Sequence, residues 1–255
     1  MKRIYAWLNL IGFAGMIVVN FLANKLPIGG QTTGEISAQY PVLVTPAGYA
    51  FSIWSIIYML LFLFVIYGFT KDGRVSGRVA AIGKFFFLSC LFNIGWLLLW
   101  HYELLTSSVF MMFALLIALG IVYGKINRTQ PARQAERWSV RLPFSIYLGW
   151  ICVATIVNVA IALSAGGWDG FGLPDTTWAI IMLSAATVVA LALGLKFKDI
   201  ACMLVFVWAF IAIGIKQQAY PEVAYTSYAL AGLLVLVALF IVVRMVRGTR
   251  EVDVV

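Results

Sequence analysis

Tyr147-Leu-Gly-Trp150-Ile-Cys-Val-Ala154-Thr155-Ile-Val-Asn158 lies inside a long apolar run, yet it carries a tryptophan and an asparagine at helical spacing. At 100° per residue, Trp150, Ala154 and Asn158 follow one another along one face. A large ring, a small residue and an amide in line predict a shaped pocket inside a helix bundle. They do not suit a lipid-facing surface, where the amide would lack a partner.

The rest of the chain fits that setting. It is 63% hydrophobic and 11% charged, with a mean hydropathy of +0.99, whereas soluble domains are about 25% charged. Long apolar runs recur from one end to the other, so the composition reads as a polytopic membrane protein in a lipid bilayer. The net charge of +8 does not indicate nucleic acid as a partner, because the basic residues lie between apolar runs, where they set topology. Cys90, Cys152 and Cys202 are far apart with no CxxC, so neither a disulfide framework nor a zinc site is expected. Lys2 and Arg3 precede an apolar run that continues to about Ala23 without an A-x-A pattern. It reads as a retained first helix rather than a signal peptide.

Eight segments are long and apolar enough to cross: 4–23, 49–69, 80–101, 105–124, 142–164, 178–195, 200–216 and 225–244. The expected fold is therefore an all-α integral membrane protein with eight transmembrane helices. Sixteen of the 18 Lys and Arg residues fall in alternate connections and at both termini, leaving only Lys25 and Lys216 on the other side. By the positive-inside rule, both termini are expected in the cytoplasm. Compact loops and the lack of a transit peptide suit a bacterial plasma membrane. Two loops on the outer side, Asn24–Gly48 and Gly166–Asp175, are rich in Gly and Pro. They are expected to form turns rather than helices, either as an interfacial aromatic belt or as covers over the mouth of a pocket.

Two further spans carry stripes. The second opens Thr45-Pro46-Ala-Gly-Tyr49-Ala-Phe51-Ser-Ile-Trp54-Ser55-Ile-Ile-Tyr58, with Pro46 placed for a helix's first turn. Phe51, Trp54 and Tyr58 share a face. In the third, Asn93, Trp96 and Trp100 do the same. Aromatic stripes often serve packing alone, and asparagines often just bond across helices. Three stripes in three helices point to a shared aromatic cavity for a flat, largely apolar ligand, held by stacking and a few amide bonds.

These stripes resemble the tryptophan-rich sensory protein family, also called the translocator protein or peripheral benzodiazepine receptor family (TspO/MBR). The matching elements are Pro46 with Trp54 and Tyr58, Asn93 with Trp96, and Tyr147-Leu148-x-Trp150-x-x-x-Ala154-Thr155-x-x-Asn158. The last is the most specific. The resemblance covers roughly residues 1–164 as a five-helix membrane bundle, with 165–255 as a three-helix C-terminal extension. It implies a bundle that binds porphyrins, sterols or related hydrophobic small molecules, often as a homodimer. By position, the ligand-binding residues would be Trp54, Tyr58, Asn93, Trp96, Trp100, Tyr147, Trp150, Ala154 and Asn158. No cofactor is obligatory, and a tetrapyrrole is the implied ligand. The chain departs from the family in its long first loop, in Thr106-Ser107-Ser108-Val109 where a Trp is common, and in Ala162–Gly167, which lacks the sterol element.

Catalytic signals are sparse. The one histidine, His101, cannot build a metal site alone, and GxSxG, HExxH and P-loop patterns are absent. No acid lies at the centre of a span, which disfavours an ion-coupled pump. The leading expectation is a non-enzymatic receptor or carrier. An uncoupled permease, a tetrapyrrole-degrading enzyme using Trp54 or Trp150, and a membrane scaffold remain as alternatives.

Overall fold

The computed structural model describes residues 3–25, 28–129 and 133–252. Lys2, Leu26 and Pro27, with the side chains of Arg3 and Arg250, lie outside the described residues. All regular structure among those described is helical. Eight longer helices are α1 (Arg3–Lys25), α2 (Ile53–Phe69), α3 (Phe85–His101), α4 (Leu105–Arg128), α5 (Leu142–Ala165), α6 (Asp175–Phe197), α7 (Ile200–Lys216) and α8 (Pro221–Val252). Six helical segments are long and apolar enough to cross a membrane; α3 and α7 are apolar but only 17 residues long.

The chain divides into two compact units, 1–42 with 51–169, and 43–50 with 170–255. In the first, α3 packs on α1 and α4, α5 packs on α4 and α2, and α1 meets α2. Its α1 buries Ala6, Asn9, Phe13, Met16, Asn20 and Ala23, spaced alternately three and four apart as an inward stripe requires. In the second unit, α7 packs on α8 and α6, and α6 on α8. Residues 43–50 run along α7: Ala47 N donates to Ala212 O at 3.0 Å, Trp208 Nε1 to Ala50 O at 3.2 Å, and Lys216 Nζ to Thr45 Oγ1 at 2.9 Å.

The helices depart from expectation chiefly at four places. The third span does not run unbroken from residue 80. A short helix Gly77–Ile82 ends at Gly83, whose φ of 52° stops it, and α3 starts at Phe85. Pro46 lies outside any helix rather than in a helix's first turn; a 3-10 turn Gly48–Ser52 intervenes before α2. The last helix outruns 225–244, because nothing from Pro221 to Val252 breaks it. Before α5, a π-turn over Arg137–Arg141 closes with Leu142 N donating to Arg137 O. The turn ends two residues before Pro143, which has no N–H to offer the ladder.

The first long loop is the fourth departure. It contains a helix, Thr33–Gln39, where turns alone were expected. Thr32 and Glu35 form a reciprocal capping box: Thr32 N donates to Glu35 Oε2 at 2.7 Å, and Glu35 N to Thr32 Oγ1 at 3.3 Å. That pair satisfies two orphan donors and starts the helix directly after the glycines. Gly29 and Gly30, at φ 75° and 84°, turn the chain into it.

Candidate functional site

The three stripes meet inside the first unit around Trp54. Its indole stacks on Tyr58 (ring centroids 5.4 Å) and on Trp96 (6.1 Å). It meets Tyr147 edge to face at 6.0 Å and Trp150 at 6.3 Å. Trp96 continues to Trp100 at 6.0 Å, and Trp150 to Phe51 at 5.9 Å. Offset and T-shaped pairs at these separations are the arrangements that aromatic quadrupoles favour. Trp96, Trp100, Tyr147 and Trp150 are buried, while Trp54, Tyr58 and Ala154 are partly exposed.

Two hydrogen-bonded groups frame the rings. In one, Tyr58 donates its hydroxyl to Asn20 Oδ1 at 2.5 Å. Asn20 Nδ2 donates to Asn93 Oδ1 and to Met16 O, both at 2.9 Å. Asn93 Nδ2 reaches the Tyr147 hydroxyl at 3.3 Å. Four helices are thereby joined through one amide pair. In the other, Trp96 Nε1 donates to Asn158 Oδ1 at 2.9 Å, and Asn158 Nδ2 donates to Ser108 Oγ at 2.9 Å. Ser108 in turn donates to Leu105 O at 2.6 Å. In a low-dielectric interior such bonds fix the rotamers of the groups they join. Trp150 Nε1 differs: it is buried and has no acceptor, which leaves one donor in the cluster unused.

The Thr33–Gln39 helix covers the end of this cluster. Trp100 Nε1 donates to Thr33 O at 3.3 Å. Asn24 Oδ1 accepts from Thr33 N and Thr33 Oγ1, both at 3.4 Å. A Cβ built on Gly34 would touch the Phe51 ring at 3.4 Å. At the helix's far end the Tyr40 hydroxyl approaches Glu103 Oε2 at 3.4 Å. Partial burial and the neighbouring Glu103 carboxylate raise the Tyr40 pKa.

All nine residues expected from the sequence are in this unit. Eight carry the rings and bonds just described, and Ala154 lies on α5 one turn from both Trp150 and Asn158. Sequence reasoning missed Asn20, Ser108 and Thr33. Asn20 had a readable signal, the inward stripe of α1. Ser108 had none, since nothing sets it apart from its hydroxyl neighbours Thr106 and Ser107 as the one that meets Asn158. No group of His, Cys, Asp or Glu among the described residues could hold a metal. His101 is buried, with Nδ1 2.9 Å from Leu97 O.

The family model for TSPO-like proteins matches residues 6–240. The chain belongs to the TSPO-like protein family. No curated protein and no solved structure matches it. The TSPO-like match extends well past residue 164, where the motif resemblance stops, and takes in α6, α7 and most of α8. Together with the apolar helices, it makes the chain an integral membrane protein.

Proposed function

We propose that this TSPO-like protein is a multi-pass membrane receptor or carrier that binds a flat, hydrophobic aromatic ligand of the porphyrin type among Trp54, Trp96, Trp150 and their neighbours. The observation that carries this reading is the centring of four aromatic rings on the partly exposed Trp54, beside the unused indole N–H of Trp150. Ring faces offer stacking to a planar ligand, and the N–H offers one directional bond to a ligand acceptor. In this reading Tyr58, Asn93, Trp100, Tyr147, Ala154 and Asn158 are the further residues that meet the ligand.

In this reading all eight helices cross. A 17-residue helix spans about 26 Å, at the short end of the range that bridges a bilayer. The alternation of basic connections requires α3 and α7 to cross too. The ends carrying the basic loops, and both termini, then face the cytoplasm of a bacterial plasma membrane. A co-purified ligand is the direct test. The purified chain should show a tetrapyrrole Soret band, or a small-molecule adduct in native mass spectrometry, after expression in cells supplied with 5-aminolevulinate. A spectrum with protein absorbance alone, and no mass beyond that of the chain, contradicts the proposal.

A further inference from the structure

We infer that the second unit carries a lipid site of its own, in which Lys216 holds the phosphate of an anionic phospholipid and the acyl chains lie on Tyr49, Trp208 and Tyr228. The site lies wholly within the second unit and does not depend on a ligand at the tryptophan cluster.

The segment 43–50 sets the direction of the site. It runs antiparallel to α7, so that Thr45 meets Lys216, Ala47 meets Ala212 and Ala50 meets Trp208. The last two of these contacts use the segment's backbone, which leaves the Tyr49 ring to pack beside them. At 1.5 Å per residue, Lys216 and Trp208 stand about 12 Å apart along α7. A charged end and an aromatic end are thus held at a fixed spacing on one line.

The charged end is a cation without an anion. The Lys216 ammonium has three N–H groups, and one of them donates to Thr45 Oγ1 at 2.9 Å. Thr45 is buried, and Gln217 Nε2 donates to its carbonyl oxygen at 3.3 Å, so the acceptor is fixed in place. No Asp or Glu occurs in 43–50 or 200–220, and no carboxylate among the described residues pairs with Lys216. Two N–H groups therefore remain for an anionic oxygen, and a phosphodiester is their complement. A choline or ethanolamine head group would bring a second cation to Lys216 with no carboxylate there to receive it. The charge pattern selects a head group of the phosphatidylglycerol type.

The aromatic end is a preformed wall. Tyr49 meets Trp208 edge to face, with ring centroids 5.2 Å apart, and Trp208 is fixed by its bond from Nε1 to Ala50 O at 3.2 Å. Tyr228 rests on Gly214, where a Cβ would lie 2.6 Å from the ring, and it neighbours Tyr49 closely enough for the two phenols to interact electrostatically. The three rings are 43, 37 and 38% exposed in chain order, so each keeps open surface for an acyl chain. An integral membrane protein is surrounded by molecules that carry a phosphate and an apolar chain at this spacing.

The test keeps the full chain in a neutral detergent. Its lysines are acetylated by a water-soluble ester and read residue by residue by peptide mass spectrometry. Phosphatidylglycerol is added as mixed micelles, with phosphatidylcholine or inorganic phosphate in its place in parallel arms. Rates are referred to Lys25, which meets the same micelle charge. Phosphatidylglycerol should slow acetylation of Lys216 at least about fivefold, and phosphatidylcholine or phosphate less than about twofold. Trp208→Leu and, separately, Tyr49→Leu, each first shown to be folded by circular dichroism, should cut the protection at least by about half while leaving the rate without lipid unchanged. Protection below about twofold by phosphatidylglycerol overturns the inference. Equal protection by phosphatidylcholine, protection by phosphate alone, or full protection in both variants overturns it too.

Discussion

Replacing Asn158 with leucine isolates the polar frame of the tryptophan cluster. Leucine keeps the branch at Cγ and removes both polar atoms. Trp96 Nε1 then loses its acceptor at 2.9 Å, and Trp96 is only 4% exposed, so water does not replace it. A buried donor left unmade costs about 1–3 kcal/mol. Ser108 suffers less, because its hydroxyl keeps Leu105 O at 2.6 Å. Interhelical bonds in bilayers average about 0.6 kcal/mol, and leucine regains some apolar contact. The net expectation is about 2 kcal/mol, or a fall in Tm of roughly 4–8 °C for a chain of this size. Ser108→Ala should cost about half as much, and the double variant should be non-additive by roughly 0.5–1 kcal/mol. Thermal unfolding in detergent, followed by tryptophan fluorescence, measures all three. A Tm for Asn158→Leu within about 1 °C of wild type, or strict additivity with Ser108→Ala, refutes the reasoning.

Three further outcomes follow from local geometry. A Cβ at Gly73 would lie 1.8 Å from the backbone oxygen of Tyr67, so Gly73→Ala should destabilise the chain by more than about 2 kcal/mol in the same thermal assay. In the second unit, a Cβ at Gly214 would lie 2.6 Å from the Tyr228 ring. Gly214→Ala should therefore lower Tm, and adding Tyr228→Ala should restore part of the loss. The backbone and side chain of Thr32 lower the Glu35 pKa by hydrogen bonding. Its support for the Thr33–Gln39 helix is thus complete above the ordinary carboxylate pKa and lost as pH falls through the lowered value. Amide exchange over 33–39 should be slower in wild type than in Glu35→Gln near neutral pH. At a pH below the lowered value, the two rates should be equal.

The helical fold was readable because lipid leaves few alternatives for a long apolar run, and helical spacing placed Trp54, Asn93, Trp96, Trp150 and Asn158 on inward faces. Their convergence was less readable. Spacing fixes a residue's face but not which helix lies opposite, so Asn20 and Ser108 emerged as partners only in three dimensions. The break at Gly83 was hidden because the apolar residues 79–82 and 85–88 keep the hydropathy high on both sides of Gly83-Lys84, while the backbone turns to positive φ at the glycine. The Thr33–Gln39 helix was obscured by the glycines before it, although Thr32-x-x-Glu35 carries the signature of a capping box. The buried ion pair of Arg78 with Glu136 shows the same limit. Its basic residue is counted for topology, while its pairing with Glu136, 58 positions away, depends on the packed loops.

The central claim is that the rings around Trp54 hold a planar ligand. Its most direct test is an equilibrium titration of the purified chain with protoporphyrin IX, followed by Soret absorbance and tryptophan quenching. It should saturate at one porphyrin per chain in wild type. The Trp150→Ala, Asn158→Ala double variant, first shown to be folded by circular dichroism, should bind at least about tenfold more weakly, a loss of about 1.4 kcal/mol. Equal affinity in the two proteins, or no saturable binding in wild type, would contradict the account.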